Sequence, residues 1–227
     1  MNVKKEGETI DELLSRMIKR ERAIGNTWNT ERKILIMGPA NSGKSTIRKV
    51  FFENADPNSL LTDPLEPTRG VENYVYDWLD LKIGVADSSG QEIVSWFETR
   101  GDEVFPGTDA IIYVFDMSKW ETNKDEILNQ ARMLLASRQE HAPEAKITFF
   151  IHKKDLVDAE KRTTMFHEIQ DEINIGIHEA GFKEVPEYCN TSLVPEHALD
   201  IVRSMRNILF KYSAVLRRAM IPVALRE

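Results

Sequence analysis

The chain has 227 residues, 41% hydrophobic and 30% charged, with a formal net charge of -7. That is enough for one sizeable domain and too little for two ordinary ones. The acidic balance argues against nucleic acid as the partner, because such binding rests on Lys and Arg neutralising phosphates. The single cysteine, Cys189, excludes an internal disulfide framework and fits a reducing compartment.

The opening stretch, residues 8–24, places Ile10, Leu13, Leu14, Met17, Ile18 and Ile24 near one helical stripe. Gly25, Asn26 and Asn29 then break the pattern. Three readings stand for this helix: packing on its own domain, binding a partner, or lying on a membrane surface. Its polar face mixes both charge signs, which disfavours the last. No stretch is apolar for the roughly 18 residues that a membrane span needs. No secretory or lipidation signal is read at either end. Membrane contact is therefore expected only through a partner or the opening helix, and the location is expected to be cytoplasmic.

From Lys33 onward, short apolar runs alternate with helical patterns. Residues 33–38 read as a strand and 43–53 as a helix. Residues 74–87 read as two strands joined by a tight turn. Residues 91–105 read as one helix, 109–117 as a strand, 123–140 as a helix and 146–152 as a strand. Residues 160–180 read as a helix, 184–190 as a short strand and 195–220 as a long final helix. Continuous apolar strands between helices imply a mostly parallel sheet covered on both faces. Ligands of such sheets sit at the C-terminal ends of the strands, so functional motifs should begin where apolar runs end.

Four motifs meet that test. GPANSGKS (38–45) follows KILI and opens a helix, the context of a phosphate loop. Gly38, Asn41, Ser42, Gly43 and Thr46 frame it. Backbone N–H groups there would face phosphate, Lys44 would reach the terminal phosphates, and Ser45 would offer its hydroxyl to Mg²⁺. DSSGQE (87–92) follows LKIGVA. Asp87 could hold Mg²⁺ or cap a helix, and Gly90 could set an N–H beside a terminal phosphate. Gln91 could orient an attacking water, or could be an exposed residue at a helix start. HKKD (152–155) follows KITFFI. The Asp155 carboxylate could accept the two N–H groups of guanine, while adenine would be repelled. The Lys153 stem could cover one face of the base. Read alone, the same four letters are a charged turn. NTSL (190–193) could bring the backbone amides of Ser192 and Leu193 to the guanine carbonyl, or be a plain turn.

In this order, the motifs resemble those of the small GTPases of the Ras superfamily over about residues 32–215. HKKD, with His152 where most of the superfamily has Asn, is similar to the Rag branch, as are AIIYVFDMS, TFFIHKKDLV and TSL. EPTRGVENYVYDWLDLKIGVADSSGQ resembles Arf proteins, and its Pro-Thr-x-Gly register picks Thr68 as the switch threonine, with Thr62 the competitor. The resemblance implies a P-loop NTPase fold of the Ras-like G-domain type. It has a mostly parallel six-stranded sheet with helices on both faces, preceded here by a helix. Residues 1–30 would be the extension, 31–220 the G domain and 221–227 a tail.

The resemblance implies a GTP/GDP switch with slow hydrolysis. Mg²⁺ would sit on Ser45, Thr68 and Asp87; Gln91, Lys44 and Thr68 would be catalytic; His152 would steady the base pocket. It implies effectors, an exchange factor and a GTPase activator as partners, and allows a dimer partner. Arg69 and Arg100 read as surface residues, so an arginine finger would come from the activator. Ala86, Ser88 and Ser89 depart from the family pattern at the surface that partners read. Rag proteins carry a C-terminal dimerisation domain, which is expected to be absent from a sequence ending at Glu227 after one helix. Two other readings compete: a nucleotide-bound anchoring module with little hydrolysis, and an ATP-dependent phosphotransferase, against which Asp155 counts.

Overall fold

The computed structural model describes residues 30–63, 65, 71–78, 81–88, 93–183 and 185–212. Six strands form one sheet: β1 (Thr30–Met37), β2 (Val71–Trp78), β3 (Leu81–Ser88), β4 (Ala110–Asp116), β5 (Lys146–His152) and β6 (Glu187–Asn190). Their order is β2-β3-β1-β4-β5-β6. Only the β2–β3 pair is antiparallel, as the sequence reading of two adjacent strands over 74–87 expects; the other pairings are parallel. The expected six-stranded, mostly parallel sheet is therefore present.

Seven helices belong to the described residues: α1 (Lys44–Phe52), α2 (Pro57–Thr62), α3 (Ile93–Glu98), α4 (Gly101–Val104), α5 (Trp120–His141), α6 (Arg162–Glu179) and α7 (Pro195–Phe210). Side chains alternate faces along a strand, and that period of two builds both cores. Leu35 and Met37 of β1, with Ile111, Tyr113 and Phe115 of β4, point to one face. They meet Trp96 of α3, Trp120 and Leu134 of α5, and Ile169 and Ile173 of α6. Ile34, Ile36, Ile112 and Val114 point the other way, against Ile47 and Val50 of α1 and Ile201, Met205 and Leu209 of α7. Each fully buried side chain of this size stabilises the fold by about 1.5–3 kcal/mol. Strands buried on both faces read as unbroken apolar runs, which is why they were legible.

The structure corrects three element boundaries. The helix expected over 91–105 is two, because the N–H groups of Thr99 and Arg100 both bond to Ser95 O, as does the Thr99 hydroxyl. That closes α3, and α4 restarts at Gly101. Helix α5 begins at Trp120, three residues earlier than expected, after a 3-10 turn at Met117–Lys119 capped by Asp116. Helix α2 was not expected. Its Asp56 cap accepts from the N–H groups of Asn58 and Ser59, and Pro57 occupies its first turn. The opening helix and the far end of the last expected helix lie outside the described residues.

Edge strand β2 is tied to α1 by a buried cation. The Arg48 guanidinium lies 3.6 Å above the Tyr74 ring and donates to the Tyr76 hydroxyl at 2.7 Å and to Glu53. Tyr76 in turn donates to Glu53 at 2.7 Å.

Candidate functional site

The motifs converge at the C-terminal edge of the sheet. Ile36, next to the end of β1, pairs with Asp87 of β3; Met37 pairs with Tyr113 of β4; Asp116 pairs with His152; and Ile151 pairs with Asn190. One edge therefore presents residue 38 onward, residue 87 onward, HKKD and NTSL side by side.

The phosphate loop owes its shape to two glycines. Gly38 has φ +142°, and a Cβ there would lie 1.9 Å from Val114 O. Gly43 has φ +101°, and a Cβ would lie 2.5 Å from Cδ2 of His152. No L side chain is tolerated at either place, and the loop lies directly on β4 and on the HKKD strand. Asn41, between them, also has a left-handed backbone at φ +60°. Ser42 is buried, and its hydroxyl has no hydrogen-bond partner among the described residues. Ser45 and Thr46 are half-buried in the first turn of α1, where backbone N–H groups lack helical acceptors. Lys44 is 6% exposed, and its ammonium donates to Gly38 O at 3.0 Å and Pro39 O at 2.8 Å. A buried cation resting on its own loop carbonyls, beside the start of a helix, fits an anion-binding cradle.

The HKKD side of the edge is built from side chains. His152 is 2% exposed. Burial pushes its pKa down to about 4, assisted by the neighbouring Lys153 charge, so the imidazole is neutral at physiological pH. Its Nδ1 lies 2.9 Å from Thr191 Oγ1. Lys153, in the left-handed region at φ +60°, donates to Asn41 O at 2.6 Å and to Asp116 Oδ2 at 2.9 Å. Asp155 lies in the middle of the 3-10 turn Lys154–Leu156 and accepts from the buried Ser192 hydroxyl. Ser192 Oγ also accepts from Val194 N–H at 3.2 Å. Backbone bonds from Lys154 N to Thr191 O and from Thr191 N to Ile151 O close the two loops on each other. Leu193 packs on the α1/α7 side of the core.

Gly38, Asn41, Ser42, Gly43, Lys44, Ser45 and Thr46 are thus brought to the same edge as His152, Lys153, Asp155, Ser192 and Leu193. Thr68, Gly90 and Gln91 lie outside the described residues, as does the side chain of Asp87. Thr62 ends α2, where its hydroxyl donates to Asn58 O and Ser59 O, both at 3.1 Å. Arg100 pairs with Glu103 at 2.9 Å. Among the described residues no cluster of three or more His, Cys, Asp or Glu could hold a metal. The expected Mg²⁺ ligands, two hydroxyls and one carboxylate, are not such a cluster.

Two site residues escaped the sequence reading. Thr191, fully buried, anchors His152. Asp116 ends β4 and anchors Lys153. Burial pushes the Asp116 carboxyl up, but the hydrogen bonds from Ser118 and Lys153 outweigh it and hold it below the ordinary value. The rule that motifs begin where apolar strands end points to Asp116, the last residue of AIIYVFD.

The Gtr1/RagA G protein conserved region matches residues 33–199. GTP-binding protein GTR1 of Saccharomyces cerevisiae is 32% identical over 158 residues, covering 68% of this chain and 49% of that protein. Ras-related GTP-binding protein A of Dictyostelium discoideum is 32% identical over 146 residues, covering 63% and 47%. Ras-related GTP-binding protein C of Homo sapiens is 27% identical over 164 residues, covering 71% and 39%. The chain spans about half the length of the first two and less of the third. The match covers the whole sheet edge that carries the phosphate loop and HKKD, and the chain belongs to the Gtr1/RagA G protein family.

Proposed function

We propose that this chain is a guanine-nucleotide switch that cycles between GTP and GDP and hydrolyses GTP slowly with Mg²⁺. The observation that carries the reading is the junction of phosphate loop and base loops. Lys153 reaches from the HKKD turn to the Asn41 carbonyl, and Ser192 holds the Asp155 carboxylate. One ligand with phosphates at one end and a guanine at the other fits that edge.

In this reading the loop N–H groups and Lys44 hold the phosphates, and the Gly90 N–H meets the terminal one. Asp155 accepts from the two guanine N–H groups, and the amides of Ser192 and Leu193 face its carbonyl. Neutral His152 fills the space behind Gly43 and steadies both loops. Ser45, Thr68 and Asp87 would hold Mg²⁺, which when bound neutralises charge on the phosphate oxygens. Gln91 positions a water in line with the terminal phosphorus. As that water adds, the bond to the bridging oxygen breaks and GDP leaves with it. Positioning dominates such chemistry, so a neutral amide suffices. Loss of the terminal phosphate releases the segments around Thr68 and Gly90, which effectors read.

The domain division into 1–30, 31–220 and 221–227 belongs to the same proposal. So do a cytoplasmic location, an exchange factor, a dimer partner, and an activator supplying an arginine worth roughly 10³–10⁵ in rate. No helix among the described residues is long and apolar enough to cross a membrane. Single-turnover hydrolysis of bound GTP tests the switch. Conversion to GDP within about an hour, abolished by Gln91→Leu, is expected at intrinsic rates of this class. GTP retained intact over many hours, even with candidate activators, would favour a static anchoring module instead.

A further inference from the structure

We propose that Asp116 is a positioning residue for nucleotide retention, acting through Lys153; this rests on the guanine-nucleotide reading above. The two oxygens of its carboxylate have separate partners. Oδ1 accepts from Ser118 N–H at 2.9 Å and Ser118 Oγ at 2.7 Å, which caps the 3-10 turn after β4. Oδ2 accepts from the Lys153 ammonium at 2.9 Å. The carboxylate is fixed on its own side by that cap and by the pairing of Asp116 with His152 across β4 and β5. It is therefore a fixed anchor for the Lys153 ammonium.

The Lys153 side chain spans the site. Its Cα lies in the HKKD turn, two residues from Asp155, and its Nζ reaches the Asn41 carbonyl of the phosphate loop at 2.6 Å. A free lysine loses much of its rotamer freedom when ordered this way. A single carbonyl is a weak partner for that cost. The charge-assisted bond to Asp116 is half-shielded from water, with side-chain exposures of 29% for Lys153 and 14% for Asp116. It pre-orders the stem along the path between phosphates and base, so that ordering does not have to occur when nucleotide binds. Asp155 selects the base; Asp116 sets how long the nucleotide stays.

Asp116→Asn separates this role from that of a cap. Asparagine caps helices as well as aspartate, so the turn is kept. Its amide NH₂ in place of Oδ2 would set a donor against the ammonium. The experiment measures dissociation of N-methylanthraniloyl-GDP from the full chain during a chase with unlabelled GDP. Asp116→Asn is expected to accelerate release about tenfold, the effect of one charged hydrogen bond. In a Lys153→Met background the same change should add less than about twofold, because the two residues act as one unit. Preference for GDP over xanthosine diphosphate should not change. Release at the wild-type rate, or equal acceleration with and without Lys153, overturns the proposal. If Asp116→Asn does not fold, Ser118→Ala replaces it. It loosens the anchor and should accelerate release about threefold, again only with Lys153 present. Wild-type protein that does not retain labelled GDP at all would overturn the nucleotide reading itself, a different result from an inert Asp116→Asn.

Discussion

Over residues 38–44 the chain is shaped by its backbone, whereas around 152–155 and 190–193 it is held by side chains. The phosphate loop has two positive-φ glycines pressed against Val114 and His152, and its lysine lies on its own carbonyls. The HKKD and NTSL loops have four links between side chains: His152 with Thr191, Lys153 with Asp116, Lys154 with Asp200 at 2.6 Å, and Asp155 with Ser192. Phosphate is the same in every nucleotide, so a fixed backbone cradle suffices for it. Discrimination between bases needs donors and acceptors in defined places, which side chains supply. The two regions should therefore fail differently.

The largest effect is expected on the backbone side. Gly38→Val puts a Cβ 1.9 Å from Val114 O at a φ that valine cannot hold. It should cost more than roughly 4 kcal/mol, read as loss of cooperative urea unfolding or of soluble protein. A Gly38→Val protein with near-wild-type stability would break the contrast. Lys44→Ala comes next. GDP affinity by calorimetry should fall about 100-fold, the upper range for hydrogen bonds from one charged group, while base preference stays.

The smallest effect at neutral pH is on the base side, and it sharpens the comparison through pH. His152 has a folded pKa of about 4 against 6.5 when exposed. Between those values the unfolded chain binds the extra proton, so stability is complete above about pH 6.5 and is lost as pH falls. The loss approaches about 3 kcal/mol near pH 4. His152→Asn should lack this component, and urea titrations at pH 7, 5.5 and 4.5 measure it. Parallel pH profiles for the two proteins would show that His152 is not the group involved.

The same contrast explains what could be read from the letters. Lys44 rests on carbonyls a few residues back and the two glycines set the local turns, so GPANSGKS announces itself even though its glycines press on the distant Val114 and His152. The base side is closed by partners far apart: Asp116 lies 37 residues from Lys153, and Thr191 lies 39 from His152. No local pattern joins them, although each stands at a strand end. The sheet was legible because buried strands are continuously apolar. The break between α3 and α4 was not, since Ser95 O draws both Thr99 and Arg100 and the only mark in the letters is Gly101, which a helix can also contain. Helix α2 was legible in principle from Asp56-Pro57, but its apolar content is only Leu60 and Leu61, with no fully buried residue to give a period.

In the proposed reading Asp155, held by Ser192, selects guanine. The direct measurement is competition for labelled GDP by unlabelled GDP, ADP and xanthosine diphosphate, in wild type and in Asp155→Asn. In wild type GDP should compete at least about 100-fold better than ADP, because a mismatched base leaves buried polar groups unpaired. In the variant, xanthosine diphosphate should overtake GDP, since its added carbonyl accepts from the new amide. Equal competition by ADP in wild type, or unchanged GDP preference in Asp155→Asn, would show that Asp155 does not select guanine.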